Sequence, residues 1–328
     1  MARSFGVHIG PQNLRMDDLR ALWRKLDQRG VDWISLWDHF YETTPPAGGD
    51  LAKFGSLDHF ETLTALGALA ADTTRARLGV LVAYVGYRTP GVLAKAATTL
   101  DHLSGGRFEL GLGAGWHEWE SHAYGYPFPP IGTRLDMLDE ATQVIRGLLT
   151  QERTTFRGEH FWVDNASCLP RPVQARLPIW IGGLGERKTL RLAARLADGW
   201  NAAYVSPEQF GRLGRTLDQW CEKEGRDPAT IGRTVNLVWN VAPDAASVPR
   251  LRKELEEQWG FALQRVEGGV LAGTPATAAE RIAEYVAAGA DGVHVALRAP
   301  WSAEALDGYL EETLPALRRE LGEARAAI

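Results

Sequence analysis

Short, unbroken apolar runs alternate with longer amphipathic segments along the chain, and this alternation limits the possible fold more than any other feature. Runs of strand length occur at residues 4–10, 33–37, 76–86, 107–115, 178–183, 197–204, 233–241 and 291–297. Segments with helical spacing occur at 16–30, 59–73, 91–106, 135–149, 186–197, 206–225, 275–288 and 302–321. Parallel strands that are buried on both faces have such continuous apolar sequences. About eight strand–helix pairs predict one domain over residues 1–328, an α/β (β/α)8 TIM barrel, with a doubly wound sheet as the alternative.

Three stretches interrupt the alternation and predict insertions after strands. Residues 116–133 are rich in aromatic residues, glycine and proline. Residues 151–177 contain a predicted hairpin, TTFRGEHFWV, with its turn near Arg157 and Gly158, and residues 243–274 contain an extra helix and a loop. Loops after the carboxyl ends of barrel strands form the active site in TIM barrels, so we expect the insertions there.

The composition is that of an ordinary soluble enzyme. The net charge of −5 gives no reason to expect binding to nucleic acid or to an anionic membrane. We expect neither a secretory signal nor a membrane span, because no run approaches the roughly 20 apolar residues that a span needs. The cysteines Cys168 and Cys221 are too few for a disulfide scaffold or a four-cysteine zinc site. A cytoplasmic location is therefore expected.

The apolar run WISLW ends in two ionisable residues, Asp38 and His39. If the run is the second strand of a barrel, both residues lie at its carboxyl end, where TIM barrels have their active sites. A histidine there can give or take a proton near neutral pH. The alternative is a histidine that satisfies the backbone of a neighbouring loop, and position alone does not decide between the two.

A series of motifs resembles the bacterial luciferase-like superfamily and, more narrowly, its branch that uses the deazaflavin coenzyme F420. The motifs are LWDHF (36–40), LDHLSGGRF (100–108), GLGAGW (111–116), YGYPF (124–128), IGGLGE (181–186) and ADGWN (197–201). The resemblance is strong over residues 4–204 and covers the remainder in outline. It implies a TIM barrel with insertions, and hydride transfer at the cofactor ring. It does not identify a substrate.

The resemblance also implies roles for the Asp-His pair. In similar F420-dependent members, this histidine lies near the reactive C5 atom of the cofactor and acts as a proton donor or stabilises the reduced ring. The resemblance therefore implies a catalytic role for His39 and contact between Asp38 and the cofactor.

A glycine-rich loop joins the predicted strand at 178–183 to the helix that follows. Its residues are Gly182, Gly183, Leu184 and Gly185. Backbone N–H groups at a helix N-terminus bind anions, and glycine allows a phosphate to approach closely. The resemblance implies that the loop binds the cofactor phosphate, while a tight turn with positive φ is the alternative. A Rossmann site is disfavoured, because Lys188 and Trp116 stand where the third glycine of G-x-G-x-x-G is due.

Two further parts of the cofactor site follow from the resemblance. Relatives carry a cis peptide bond behind the ring, and alignment places it between Leu81 and Val82. The small residues after the fourth strand leave room for a flat ring and its tail, and Trp116 follows them. The small residues are Gly113, Ala114 and Gly115.

The sugar-phosphate dehydrogenases of the F420 branch have a catalytic glutamate at the position of Trp116, which argues against a sugar-phosphate substrate. Whether Glu118 or Glu120 replaces that carboxylate depends on the geometry of the loop. The histidines of HEWESH, His117 and His122, are five residues apart and about 140° apart on a helix, so we expect no metal site.

Aromatic residues near predicted strand ends could line an apolar substrate pocket or belong to the core. They are Trp37, Trp116, Trp119, Trp200, Trp239, Tyr84, Tyr87 and Phe128. Four cations could meet the anionic cofactor tail or be solvated surface residues. They are Arg88, Arg187, Lys188 and Arg298.

These features predict an F420-dependent oxidoreductase that transfers a hydride between the deazaflavin and an apolar or aromatic small molecule. One alternative is an FMN-dependent monooxygenase on the same fold, since FMN reacts with O₂ by one-electron steps and a 5-deazaflavin does not. A second alternative is a non-catalytic flavin-binding protein. Relatives are often dimers, so a homodimer is expected.

Overall fold

The computed structural model describes residues 3–41, 58–260 and 263–321. The strands in this part of the chain are β1 (Ser4–Ile9), β2 (Trp33–Leu36), β3 (Arg77–Tyr84), β4 (Phe108–Gly113), β5 (Thr154–Arg157), β6 (Trp162–Ala166), β7 (Ile179–Gly182), β8 (Gly199–Ala203), β9 (Gly232–Val241), β10 (Val270–Gly273) and β11 (Gly292–Leu297). The helices are α1 (Met16–Gln28), α2 (Thr62–Asp72), α3 (Pro90–Ser104), α4 (Glu118–Ala123), α5 (Ile131–Thr150), α6 (Thr189–Leu196), α7 (Pro207–Lys223), α8 (Val248–Trp259), α9 (Leu263–Val266), α10 (Pro275–Ala287), α11 (Ala303–Gly308) and α12 (Leu314–Leu321). None of the described helices combines the length and the apolar character that crossing a bilayer requires.

The predicted TIM barrel is confirmed. Within the described residues, eight parallel strands pair in the order β1, β2, β3, β4, β7, β8, β9 and β11, and β11 pairs with β1 to close the barrel. The helices pack around it. The doubly wound sheet is therefore wrong, since an open sheet would leave β1 and β11 unpaired.

Helix α1 shows how the sequence determines these elements. Leu19, Leu22, Trp23 and Leu26 recur at helical spacing, and all four are buried against the barrel. Burial of each side chain contributes about 2 kcal/mol. The helix ends just before Gly30, whose φ of +79° reverses the chain toward β2 at little conformational cost.

Side chains fill the amino-terminal half of the barrel interior. The ring of Trp33 lies 5.0 Å from the ring of Trp180 and 4.6 Å from that of His294. The indole N–H of Trp180 donates to the buried carboxylate of Glu109, which also accepts from Arg77. The barrel is thus packed at this end, and open space is left at the carboxyl ends of the strands.

The insertions are built largely as predicted. Strands β5 and β6 form the predicted antiparallel hairpin, and the 116–133 stretch contains the short helix α4. The 243–274 stretch contains helix α8, but the prediction of only a helix and a loop there is incomplete. It also contains β10, which pairs with residues 238–241 of β9, while β8 pairs with residues 232–236 on the same edge.

Candidate active site

A cavity of about 1270 Å³ lies at the carboxyl ends of the barrel strands. The catalytic histidine and the cofactor-binding residues that the family resemblance implies all line this one cavity. They are His39, Asp38, Leu81, Val82, Gly113, Ala114, Gly115, Trp116, Gly182, Gly183, Leu184 and Gly185. The fold therefore brings together residues that are up to about 150 positions apart in the sequence, and their individual roles remain predictions.

The side chain of Val82 lies between Gly113, at the end of β4, and Gly182, at the end of β7. The peptide bond between Leu81 and Val82 is cis, as predicted, and the pairing of β3 with β4 shifts register between Val80 and Ala83. A Cβ atom on Gly113 would lie 2.4 Å from Cγ2 of Val82, and one on Gly182 would lie 2.7 Å from its Cγ1. Glycine is therefore needed on both sides of Val82.

The glycine loop follows β7 directly. Gly183 has a φ of +133°, which favours glycine, and its N–H donates to the carbonyl of Asn201. A Cβ atom on Gly185 would lie 2.7 Å from Oγ1 of Thr189. The predicted helix start at residue 186 is wrong, because residues 186–188 form a turn and α6 begins at Thr189. Thr189 also lines the cavity, and sequence reasoning missed it.

His39 is paired with a buried carboxylate from the loop after β4. Its Nδ1 lies 2.7 Å from Oε2 of Glu120, and the backbone N–H of Phe40 donates to Oε1 at 2.6 Å. The Glu120 side chain has no exposed surface. Burial raises the pKa of the Glu120 carboxyl, but the hydrogen bond and charge of His39 and the Phe40 N–H outweigh burial and leave this pKa below its usual value.

The sequence left open whether Glu118 or Glu120 lies at the site, and the structure distinguishes the two. Glu120 is buried on His39, whereas Glu118, on the same short helix, is exposed and lies outside the cavity. The ring of Trp116 packs edge-on against His39 with 5.4 Å between centroids. Among the described residues, no cluster of three or more histidine, cysteine or acidic side chains could hold a metal ion.

The carboxylate of Asp38 forms an ion pair with the guanidinium of Arg88. Its carboxylate accepts two hydrogen bonds from Arg88, at 2.7 and 3.0 Å, and one from the N–H of Tyr84 at 3.3 Å. Arg88 also donates to Glu61. The Asp38 side chain has no exposed surface, so its contact with a cofactor stays a prediction.

Of the four cations considered for the cofactor tail, Arg298 lines the cavity. Arg88 binds Asp38 instead, and Lys188 donates to Asp136 at the surface. Arg187 is exposed and lies outside the cavity lining. The guanidinium of Arg298 lies 5.1 Å from the ring centre of Trp259, and burial lowers the pKa of Arg298 to about 9.

The model of the luciferase-like monooxygenase family matches residues 3–262. This chain belongs to the luciferase-like family.

Two relatives illustrate the range of matches. The F420-dependent glucose-6-phosphate dehydrogenase of Intrasporangium calvum is 29% identical, over 94% of this chain and 96% of its own. An uncharacterized protein of Mycobacterium tuberculosis is 41% identical over 135 residues, which are 41% of this chain and 47% of that protein. The chain thus spans about half the length of the first curated relatives that it matches.

Two solved structures illustrate the fold of the family. An F420-dependent secondary alcohol dehydrogenase in complex with an F420-acetone adduct has a TM-score of 0.82 at 20% identity, over 97% of this chain and 100% of the other. A riboflavin lyase with modified FMN and the substrate riboflavin has a TM-score of 0.81 at 16% identity, over 100% and 94%. At these identities the likeness concerns the fold alone.

The predicted aromatic lining of this luciferase-like cavity is partly correct. Trp37, Trp116, Trp239, Tyr84 and Tyr87 line the cavity. The other candidates lie elsewhere: Trp119, Trp200 and Phe128. Trp200 is fully buried in the core, where it stacks on a helix residue of α7. Trp200 nevertheless supports the site, because its indole N–H donates to the carbonyl of Gly183 in the glycine loop at 2.8 Å.

Polar residues of the luciferase-like barrel interior were also missed. Asn201, Asn236 and Asn240 line the cavity, and the Asn201 amide donates to Oδ1 of Asn236 at 3.1 Å and to Thr234 at 2.9 Å. The signal was present in TVNLVWNV (234–241), where Thr234, Asn236 and Asn240 are the polar residues and all lie an even number of positions apart. Alternate positions of a barrel strand face the interior, and of these residues Asn236 and Asn240 line the cavity.

Proposed function

We propose that this luciferase-like protein is an F420-dependent oxidoreductase that transfers a hydride between the deazaflavin and an apolar or aromatic small molecule. The observation that carries the proposal is the shared cavity. Val82 with its flanking glycines, the glycine loop at residues 182–185 and His39 all line the same space. The relatives named as F420-dependent dehydrogenases support the choice of cofactor.

The residues present fit a flat ring with an anionic tail. Pockets for a single small ligand have volumes of about 300–1,000 Å³, so a cavity of about 1270 Å³ has room for a cofactor and a substrate together. Val82, Gly113 and Gly182 would support the ring, since any larger residue at either glycine meets Val82. The loop at residues 182–185 would bind the phosphate through backbone N–H groups other than that of Gly183, which donates to the carbonyl of Asn201.

When bound, a deazaflavin supplies or accepts a hydride, which is two electrons with one hydrogen nucleus. Each hydride transfer is accompanied by the uptake or release of one proton. The protein or the solvent must donate or accept this proton. We assign this role to His39, because its Nδ1 is occupied by Glu120 and its Nε2 is the remaining proton-exchanging atom of the ring. The aromatic lining excludes water and favours an apolar substrate.

Fluorescence titration of the purified protein with F420 and, separately, with FMN tests the choice of cofactor. We expect saturable binding of F420, followed by a change in its absorbance when apolar alcohols, ketones or enones are added to the oxidised or the reduced cofactor. Tight binding of FMN without binding of F420 would establish the FMN-dependent alternative. Binding of F420 without turnover of any substrate class would favour the non-catalytic flavin-binding alternative.

The expected homodimer is tested by sedimentation velocity on the same preparation.

A further inference from the structure

We propose that Glu120 is a positioning residue that fixes His39 in one tautomer, with the proton on Nδ1 and the lone pair of Nε2 available to the cavity. The catalytic consequence rests on the proposed function of the site. The tautomer itself does not, since it is determined by the contacts of the protein alone.

The hydrogen-bond partners of Glu120 determine which way the proton on His39 points. An ionised carboxylate can only accept hydrogen bonds, and a backbone N–H can only donate one. Oε1 of Glu120 accepts from the Phe40 N–H at 2.6 Å, and Oε2 faces Nδ1 of His39 at 2.7 Å. The low pKa of Glu120 keeps it ionised, so Nδ1 of His39 must be the donor. In the neutral ring, Nε2 is then the acceptor.

The neighbouring histidine does not compete for this carboxylate as a cation. His117 lies with its Nε2 4.0 Å from Oε2 of Glu120, beyond hydrogen-bond distance. Burial lowers the pKa of His117 to about 4, so this ring is neutral near pH 7. Its Nδ1 accepts a hydrogen bond from the Glu120 N–H at 3.3 Å, which caps helix α4. His39 is therefore the ring that the Glu120 carboxylate orients.

Aromatic packing holds the two partners together. Phe40 lies 4.7 Å from Tyr87 and 4.5 Å from Tyr124, ring centre to ring centre. Tyr41 lies 5.1 Å from Trp119, which is next to Glu120 in α4. The loop after β2 and the loop after β4 thus meet across an apolar contact, and the His39–Glu120 pair lies at its buried edge.

Replacement of Glu120 with glutamine should move the ring proton of His39 from one nitrogen to the other. In Glu120→Gln, the amide oxygen must stay on the Phe40 N–H, because two donors cannot face each other there. The NH₂ group then faces Nδ1 of His39, which must become the acceptor. The ring proton moves to Nε2, and the cavity meets an N–H donor in place of a lone pair.

Histidine ¹⁵N NMR of the cofactor-free protein, at a pH where the ring is neutral, measures the tautomer directly. His39→Asn assigns the signals by their loss. We expect protonated Nδ1 and unprotonated Nε2 in the wild type, and the reverse in Glu120→Gln. A wild-type ring protonated on Nε2, or one that exchanges freely between both forms, overturns the proposal. The wild-type spectrum alone decides this point, so the test remains valid even if Glu120→Gln does not fold.

Kinetics with F420 test the consequence. Glu120→Gln should lower kcat by about 10²–10⁴-fold, as expected for loss of a proton-transfer group, and should leave the KM for substrate and the affinity for F420 unchanged. Glu118→Gln, an exposed change on the same helix, is the matched control and should match the wild type in both assays. An inverted tautomer with unchanged kcat contradicts the positioning role. Absence of F420 turnover in the wild type contradicts the proposed function and leaves the NMR result to decide the tautomer.

Discussion

The guanidinium of Arg88 donates two hydrogen bonds to the carboxylate of Asp38. Asp38 directly precedes His39 in the chain. Arg88→Met should destabilise the fold by about 3–5 kcal/mol, because it leaves a buried carboxylate without its cation. Urea denaturation followed by circular dichroism measures this change in the free energy of unfolding.

The double variant Asp38→Asn/Arg88→Met is the control for this prediction. Removing both charges should recover a large part of the loss, since the cost arises from the unpaired carboxylate and not from the arginine stem. Equal destabilisation in the single and the double variant would show that packing of the Arg88 side chain, and not charge, is what matters.

His39→Asn should lower kcat with F420 by about 10²–10⁴-fold and change the affinity for F420 little, because the imidazole exchanges a proton and does not hold the cofactor tail. Steady-state rates and a fluorescence titration on one preparation separate the two quantities. Unchanged turnover would remove His39 from the catalytic role.

Gly182→Ala should weaken cofactor binding by at least about tenfold. The new Cβ would lie 2.7 Å from Cγ1 of Val82, so the Val82 side chain, which lines the cavity, must shift. The double variant Gly182→Ala/Val82→Ala removes the contact and should restore part of the affinity. If both variants bind F420 as the wild type does, the ring does not lie against Val82.

Gly67→Ala is the matched glycine control. Gly67 lies within α2, and a Cβ there would meet no atom within 4 Å. This substitution should leave affinity unchanged and stabilise the protein by about 0.5–1 kcal/mol, since glycine is unfavourable inside a helix. A loss of cofactor affinity in Gly67→Ala would mean that the titration reports stability and not the site.

His294 should contribute to acid destabilisation. Both ring nitrogens are buried without a hydrogen-bond partner among the described residues, and burial lowers the pKa of His294 to about 3. Below pH ~6.5 the unfolded chain binds a proton that the folded one does not, so stability falls as pH falls toward 3. The slope for one such histidine is about 1 kcal/mol per pH unit.

The variant His294→Gln removes this titration. Its free energy of unfolding should decline less steeply than that of the wild type between about pH 6 and pH 4. Parallel stability curves over that interval would mean that the ring is already protonated inside the barrel.

The barrel was predictable because its signal is repeated. Helix α1 shows its buried stripe in the sequence, and the strands are short apolar runs that parallel pairing requires. Element ends were less accurate. Helix α5 begins at Ile131 and not at residue 135, because Arg134 is already helical and donates to the carbonyls of Ala114 and Pro129. Such tertiary contacts leave no periodic signal.

The sequence predicted residues that line the cavity, but it did not predict the contacts between them. The motifs located His39 and the glycine loop, but His39 and Glu120 are 81 positions apart and no sequence pattern pairs them. Strand β10 was missed for a similar reason, since VLAG is too short to stand out as a strand and becomes one only beside β9. From the sequence, Arg88 was a candidate for the cofactor tail or a solvated surface residue, and only the fold shows that it pairs with Asp38.

The excursion between β9 and α10 begins and ends at almost the same point. The N–H of Ala242 donates to the carbonyl of Gly273 at 2.7 Å, so one backbone hydrogen bond joins its two ends. A replacement segment would have to keep a strand in the place of β10, because β10 pairs with residues 238–241 of β9. Chimeras grafted at these two residues would change the part of the cavity wall that this segment supplies, which includes Leu251, Leu255 and Trp259.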